Sequence, residues 1–184
     1  MKSAILLLSV LGVALFAGLT PSAAAASDMF LKLGDIKGES TDATHKDQID
    51  VLAWSWGMSN SGTTHEGGGA GAGKSTVQDF SFTKFVDLST TDIMLNTLTG
   101  EHIPEATFVV RKAGAEPLEF LKITFKEVII TSVSTGGSGG EDRLTENVSL
   151  NFAEVKVEYT KQNPDGSKGE TKEFSYNIAE NTEV

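Results

Sequence analysis

Alternation of apolar and polar residues recurs along most of the chain and predicts a protein built mainly of β-strands. The clearest run, residues 49–56, carries both tryptophans of the chain, Trp54 and Trp56, on one face. The other face, which begins at Ile49, is also apolar, so we expect this strand to be covered on both sides for part of its length. At least one tryptophan should be buried, because its side chain carries a large apolar surface.

Further strands are predicted before and after this run. Their ranges are 29–33, 78–86, 106–112, 118–133, 148–161 and 171–178. The alternation changes parity after Phe82 and near Leu121, which predicts a bulge or a strand end at each place. Asn163, Pro164 and Gly166 predict a tight turn. Strands that change parity favour strongly bent sheets, hence a barrel or a tight sandwich.

One short helix is predicted at residues 90–99. A serine or threonine among residues 89–91 can cap its first turn, and Gly100 is a natural end. A helix this short needs tertiary contacts to be stable, so we expect its apolar face to dock on the sheet. The residues on that face are Met94, Leu95 and Leu98.

The N-terminus has the layout of a secretory signal peptide. Lys2 precedes an apolar run at residues 5–19, and alanines occupy positions 23–26. A small-residue end of this kind favours cleavage after Ala26. A retained membrane anchor is the alternative, but the apolar run is short for a membrane span. We therefore predict a cleaved signal peptide at residues 1–26 and a single β domain at residues 27–184.

The composition narrows the classes of partner. The 184-residue chain has 25 acidic and 15 basic residues, a net charge of −10. An acidic surface repels nucleic acid and anionic membranes, so we expect no nucleic-acid partner and no membrane contact after signal cleavage. The chain has no cysteine. Disulfides and thiolate zinc sites are therefore excluded.

A stretch of small residues at positions 57–75 predicts a long mobile loop. Within it Gly68, Gly73, Lys74 and Ser75 match the pattern of a phosphate-binding loop. That site needs a buried strand before the loop and a helix after it. Here the residues that follow, 76–85, alternate like a strand. We therefore predict no nucleotide site and no other cofactor.

No catalytic or metal-binding set emerges from the residue spacing. The three histidines, His45, His65 and His102, lie far apart in the sequence. His45 lies between Asp42 and Asp47, where we expect a hydrogen bond to a neighbouring carboxylate. A place for His45 in a metal or acid–base cluster is the alternative. We predict that the protein is not an enzyme.

Residues 39–45, ESTDATH, followed by a hydrophobic strand and by Ser55, Trp56 and Gly57, resemble the N-terminal signature of the Hcp (hemolysin-coregulated protein) family. Members of that family are the tube proteins of bacterial type VI secretion. The resemblance extends over roughly residues 29–181. Its later segments are residues 80–87 with the helix, 111–114 and 146–152.

This resemblance implies a compact two-sheet β-barrel with one short flanking α-helix. It also implies a structural protein that forms homohexameric rings. In the family such rings stack into a tube that carries effector proteins and is capped by a spike protein. Family members assemble in the cytoplasm and are then secreted, whereas the signal peptide implies passage through the periplasm. The alternative is a monomeric secreted or periplasmic β-barrel that binds a small molecule or an envelope partner.

Two polar loops that flank the tryptophan strand are the predicted inter-subunit surface. A ring needs two different surfaces on each subunit, which meet heterologously. We assign both residues 39–45 and the loop after Trp56 to the inter-subunit surface, and the resemblance implies that this loop packs on a neighbouring ring. The predicted interface residues are Glu39, Asp42, His45, Trp56, Gly57, Gly68 and Gly73.

Overall fold

A computed structural model describes residues 27–62, 75–112 and 117–184, which form eleven strands and one helix. The predicted signal peptide lies outside the described residues. The elements in chain order are β1 (Ser27–Leu33), β2 (Ile49–Ser55), β3 (Met58–Asn60), β4 (Ser75–Val77), β5 (Phe80–Phe85), α1 (Ser89–Thr99), β6 (His102–Lys112), β7 (Leu118–Gly136), β8 (Thr145–Asn151), β9 (Glu154–Gln162), β10 (Lys168–Asn177) and β11 (Thr182–Glu183).

Six antiparallel strands close into a barrel in the order β7-β6-β1-β2-β5-β8, and β8 pairs back to β7. Closure depends on the length of β7. Ile129 in β7 pairs with His102 of β6 on one edge and with Asn151 of β8 on the other. Earlier in β7, Leu121–Lys126 pair with β9 instead, and β10 and β11 extend the sheet beyond it. The prediction of a mainly β barrel is confirmed.

Bulges in β7 let this strand serve both parts of the sheet. The register with β6 shifts between Val110 and Arg111, opposite Leu121, which confirms the predicted irregularity there. Glu127 then adopts a positive φ of 52°. Buried positions are Ile123 and Phe125 before Glu127, and Val128 after it. The irregularity at Glu127 therefore changes the inward parity and bends the strand.

The predicted parity change in β5 is wrong. Phe80, Phe82 and Lys84 all point inward and are buried, and β5 pairs with β8 without a register shift. The apolar alternation only seemed to end after Phe82, because the next inward residue is a lysine. The bulge lies in the neighbouring strand β2, between Val51 and Ala53.

That bulge decides which residues of β2 are buried. Ile49 and Val51 are buried before it, Leu52 is exposed, and Trp54 and Trp56 are half-buried against the core. The prediction that β2 is covered on both sides is wrong, because the bulge moves the inward set from one parity to the other. Neither tryptophan is fully buried. The rings they contact are Phe80 and Phe108 for Trp54, and Phe125 and Phe152 for Trp56.

Two predicted segments divide differently in the structure. Residues 148–161 form parts of two strands, because the chain turns at Phe152, which is buried, and the Ala153 N–H donates to the Lys126 carbonyl. The predicted loop at 57–75 is bounded by a β-ribbon, in which Met58 pairs with Val77. A phosphate-binding loop would be followed by a helix beginning near Ser75, whereas the structure has a strand there. Gly68 and Gly73 lie outside the described residues.

Helix α1 ends as predicted but docks differently. Gly100 has a φ of 68°, and its N–H donates to the Asn96 carbonyl. The Asp87 carboxylate, rather than a serine or threonine, accepts the hydrogen bond from the Ser89 N–H. Docking through the predicted leucine face is wrong, since Leu95 and Leu98 are 57% and 85% exposed. The helix buries the opposite side instead, at Ser89, Thr90 and Ile93. None of the described residues belongs to a helix that could span a membrane.

Candidate functional site

Residues 38–48, which we call the signature loop, connect β1 to β2 and contain three of the predicted interface residues. Asp42 organises the loop, because its Oδ1 accepts hydrogen bonds from the backbone N–H groups of Thr44 at 2.9 Å and His45 at 3.1 Å. Its Oδ2 lies 2.5 Å from Arg111 Nη2, which also lies 3.0 Å from Asp28 Oδ2. The loop is thereby tied to β6 and to the start of β1.

Electrostatics strengthens this attachment. The hydrogen bond from Arg111, together with those from Thr44, holds the pKa of the Asp42 carboxyl well below its usual range. The same contact raises the pKa of Arg111 above its ordinary value. Both groups therefore remain charged at neutral pH. The Arg111 guanidinium also lies over the Phe30 ring, 4.9 Å from its centroid.

His45 anchors the other half of the signature loop. It is only 7% exposed and stacks on Phe30, with 4.3 Å between ring centroids. Its Nδ1 lies 3.1 Å from Gln48 Oε1, and its Nε2 lies 3.0 Å from Glu119 Oε1. The predicted contact with a carboxylate is confirmed: the imidazole ring contacts Glu119 of β7, whereas Asp42 is bonded to the His45 backbone N–H. His45 therefore holds the loop against the barrel.

Glu39 links the signature loop to the helix. Its Oε1 accepts a hydrogen bond from the Leu88 N–H at 3.1 Å, immediately before α1 begins. Within the loop, backbone bonds join Ser40 to Asp47 and to Gln48. The side chains that the loop leaves exposed belong to Glu39, Thr41, Ala43, Thr44, Lys46 and Asp47. Of the predicted interface residues here, Asp42 and His45 point inward, and their exposed neighbours form the outer surface.

Trp56 and Gly57 belong to a separate region. The Trp56 Nε1–H donates to the Gln78 carbonyl at 3.0 Å, and the Gln78 N–H donates to the Gly57 carbonyl at 3.0 Å. These bonds hold the base of the β3–β4 hairpin. Among the described residues, no hydrogen bond or ring contact joins Trp56 or Gly57 to the signature loop. The two predicted surfaces are therefore distinct, and the places of Gly68 and Gly73 remain predictions.

A buried ionic cluster went undetected in the sequence. Lys84 Nζ lies 2.6 Å from Glu146 Oε1 and 2.8 Å from Asp87 Oδ1, and neither the Lys84 nor the Glu146 side chain is exposed. Lys84 also donates to Thr90 Oγ1 at 3.3 Å. Because Thr90 lies in the first turn of α1 and Asp87 accepts a hydrogen bond from the Ser89 N–H just before it, the cluster joins the helix to the barrel. Lys84 and Glu146 are directly opposite one another in β5 and β8, so the pair is recognisable only once the pairing of these two strands is known.

The sequence of this chain is similar to that of a known protein family. Residues 30–159 match the family described as "Type VI secretion system effector, Hcp". The chain belongs to the Hcp family. It is 59% identical over 161 residues to "Protein hcp1" of Pseudomonas aeruginosa strain PAO1, a match that covers 86% of this chain and 99% of the relative.

Solved structures of the Hcp family have the same fold. Hcp1 from Salmonella typhimurium has a TM-score of 0.73 and 39% identity, covering 86% of this chain and 99% of that one. A type VI secretion system effector from Yersinia pestis has a TM-score of 0.67 and 35% identity, covering 82% of this chain and 99% of that one. These similarities confirm the predicted family and its barrel with one short helix.

In this member of the Hcp family, the signature loop is anchored to the barrel by side-chain contacts. Two pairs of ionisable side chains hold the signature loop to the barrel, Arg111 with Asp42 and His45 with Glu119. Within residues 27–62, 75–112 and 117–184, no group of three or more His, Asp or Glu side chains is placed to hold a metal ion. The arrangement suits presentation of a surface to another protein.

Proposed function

We propose that this protein is a structural, non-enzymatic tube subunit of a type VI secretion system. Six copies form a ring, the rings stack, and the tube carries effector proteins. The observation that carries this proposal is the 59% identity to the P. aeruginosa protein hcp1 over 99% of that protein's length. At that level, two chains share their fold and, in general, the surfaces on which that fold is used.

Two unlike surfaces on one subunit support a heterologous ring contact. The signature loop is held rigidly by Arg111 and His45, whereas the β3–β4 hairpin extends from the base at Trp56 and Gly57. A closed ring forms when one such surface of each copy meets the other surface of the next copy. Rigid loops lose little conformational entropy on association, which favours assembly.

Within this interface the predicted residues act in two ways. Asp42 and His45 act by holding the loop in place, and the exposed side chains of Thr41 and Lys46, which were not among the predicted residues, contact the neighbouring subunit. Glu39 keeps the loop adjacent to α1. Trp56, Gly57, Gly68 and Gly73 belong to the second surface, which meets the adjacent subunit or the adjacent ring.

The remaining partners and the export route follow from the family and the N-terminus. Effectors bind inside the tube, and a spike protein caps it. Residues 1–26 direct the chain to the general export machinery and are removed after Ala26, so the mature protein passes through the periplasm and is secreted, a route that differs from the cytoplasmic assembly of the family. A mass spectrum of the protein isolated from its native cell tests this step. A chain that begins at Ser27 is expected, and one that retains Met1 would contradict it.

The solution mass tests the assembly. Size exclusion with light scattering, followed by negative-stain images of the same fraction, should give six times the subunit mass and ring-shaped particles. A monomer over a wide concentration range would overturn the proposal. It would favour instead a monomeric periplasmic barrel that binds a small molecule or an envelope partner.

A matched pair of variants tests the contact itself. Thr41→Arg should shift the mass from hexamer towards monomer, because a long charged side chain is placed on the exposed part of the signature loop. Thr182→Arg, in exposed β11, is the control and should leave the hexamer intact. If both variants gave the same mass, the signature loop would not be part of the interface.

A further inference from the structure

His45 presents both nitrogen atoms of its ring to oxygen atoms. Its Nδ1 lies 3.1 Å from Gln48 Oε1, and its Nε2 lies 3.0 Å from Glu119 Oε1. A neutral imidazole has one N–H donor and one acceptor nitrogen, whereas the doubly protonated ring donates from both nitrogens. Both contacts are therefore hydrogen bonds only when the ring carries two protons.

The proton on Nδ1 is the one that decides the state of this site. An ionised carboxylate only accepts hydrogen bonds, so Nε2 keeps its proton while it is bonded to Glu119. Without a proton on Nδ1, two lone pairs would face one another at 3.1 Å unless the Gln48 amide turned to present its NH₂ group. A second proton on the ring and a turned amide are thus the two states that an experiment has to separate.

The charged groups packed around the ring favour the second proton. Glu119 of β7 contacts the ring directly, and a carboxylate at this distance stabilises the imidazolium form. Arg111 of β6 has the opposite effect. Its positive charge is matched, however, by its contacts to Asp42 of the signature loop and to Asp28 of β1.

Other charged groups near this site are exposed to water. Lys46 and Asp47 are the neighbouring residues of the signature loop, and Lys122 and Lys168 line the same surface cleft as Glu119. Water and salt screen the charge of exposed groups. These four residues should therefore influence the ring less than the direct contact with Glu119 does.

Protonation of His45 acts on the turn through which the signature loop enters β2. The Gln48 N–H donates to the His45 carbonyl at 3.1 Å, and β2 begins at the next residue, Ile49. The ring itself is buried and stacked on Phe30, so it cannot turn towards water without leaving that contact. Protons can reach the site from solvent, since the Glu119 side chain is 44% exposed.

We propose that His45 makes the attachment of the signature loop dependent on pH. With two protons on the ring, the loop is bonded at both Gln48 and Glu119. When the ring loses one proton, the bond to Gln48 is lost and the turn at residues 45–48 opens. The stabilisation is therefore present at acid pH and is lost as the pH rises. Its consequence for assembly rests on the proposed tube function: rings are held more tightly at the lower pH.

Hydrogen exchange followed by mass spectrometry measures the attachment in separate subunits and in rings alike. The quantity compared is the protection of residues 38–48, corrected for the exchange rate of a free peptide, at about pH 5.5 and about pH 8.5. These values lie on either side of the ordinary titration point of a histidine, about 6.5. We expect about tenfold less protection at the higher pH, because a hydrogen bond from a charged donor is lost. A change below about twofold would overturn the proposal.

Two glutamine substitutions identify the group that titrates. His45→Gln should make the protection of the loop independent of pH to within about twofold, because glutamine carries no titratable proton. His102→Gln is the matched control, since His102 is exposed at the start of β6, and it should retain the tenfold change. The same pH response in both variants would contradict the assignment to His45. Circular dichroism of both variants verifies that the fold is intact.

Substitutions of the two ring partners separate a second proton from a turned amide. Glu119→Gln keeps the size of the side chain but removes the charge that favours imidazolium, so the loss of protection should occur at least about 0.5 pH unit lower. Gln48→Met removes the oxygen and the NH₂ group together, and the pH response should fall below about twofold. An unchanged midpoint in Glu119→Gln, or a full response in Gln48→Met, would show that the second proton does not hold the loop. Both tests remain valid if His45→Gln does not fold.

Light scattering at the same two pH values separates this inference from the tube proposal. Rings that dissociate at a higher protein concentration at about pH 8.5 than at about pH 5.5 would support both. A monomer at both pH values, with protection that still depends on pH, would contradict the tube proposal alone. Rings whose loop protection does not change with pH would contradict the role of His45 alone.

Discussion

Two ionic clusters attach segments outside the barrel to its wall, and they differ in their contact with water. Lys84 and Glu146 are sealed inside the barrel and hold the start of α1. Arg111 and Asp42 lie at the surface, where their side chains are 12% and 20% exposed, and they hold the signature loop. If one partner of the first cluster is lost, water cannot reach the charge that remains. In the second cluster water can reach it.

This difference determines what each cluster contributes. Charges removed from water carry a large desolvation cost, so a buried pair contributes little net stability, yet the loss of one partner is severe. Each cluster leaves one buried polar atom without a hydrogen-bond partner among the described residues, Glu146 Oε2 in the first and Arg111 Nε in the second. A partly exposed cluster with many hydrogen bonds has the opposite balance, since water can replace a missing partner. Four experiments test the comparison.

The largest effect is expected for Lys84→Met. This substitution leaves Glu146 and Asp87 without their cation, so the free energy of unfolding should fall by about 3–5 kcal/mol. Urea unfolding followed by circular dichroism measures the change. The double variant Lys84→Met with Glu146→Leu is the control and should recover much of the loss, because the fully buried carboxylate is removed while Asp87 keeps its hydrogen bonds from Ser89. A loss below about 1 kcal/mol for the single variant would contradict the sealed environment.

A smaller loss is expected for Arg111→Ala. The substitution removes the contacts to Asp42 and Asp28 and the cation over Phe30, for a loss of about 1.5–3 kcal/mol. Urea unfolding measures it, and hydrogen exchange should show faster exchange at the Thr44 and His45 amides. Lys122→Ala, an exposed lysine on β7, is the control and should change stability by less than about 0.5 kcal/mol. Slow exchange at both amides in Arg111→Ala would show that Asp42 holds the loop alone.

The third test uses pH. The pKa of Asp42 is lowered in the folded protein, so its contribution to stability is present above the unfolded value of 3.8 and is lost as the pH falls below it. Stability measured by urea unfolding should therefore decline through this range. Asp42→Asn should flatten that part of the pH profile. An identical profile in both proteins would mean that other carboxylates govern the acid response.

The same clusters show how far the sequence carries the prediction. Alternation predicted the barrel strands because inward side chains repeat every second residue, and motif similarity predicted the family. Lys84 escaped notice because a buried charge is indistinguishable from a surface charge until its partner strand is known, and Glu146 lies 62 positions further along. The prediction of which face of α1 docks on the barrel was wrong for a related reason. Leu95 and Leu98 have the periodicity of a docking face, but the ionic cluster at Asp87 and Thr90 orients α1 otherwise.

The smallest effect is expected where the two attached segments meet, at Glu39. Its Oε1 accepts one hydrogen bond, from the exposed Leu88 N–H, and water can replace a carboxylate at such a site. Glu39→Ala should therefore lower the free energy of unfolding by about 0.5–1 kcal/mol. Glu101→Ala, an exposed carboxylate just beyond α1, is the control for the loss of one negative charge. A loss above about 2 kcal/mol for Glu39→Ala alone would show that the two attachments act as one cooperative unit, because destabilisation beyond a single exposed hydrogen bond requires coupling to other contacts.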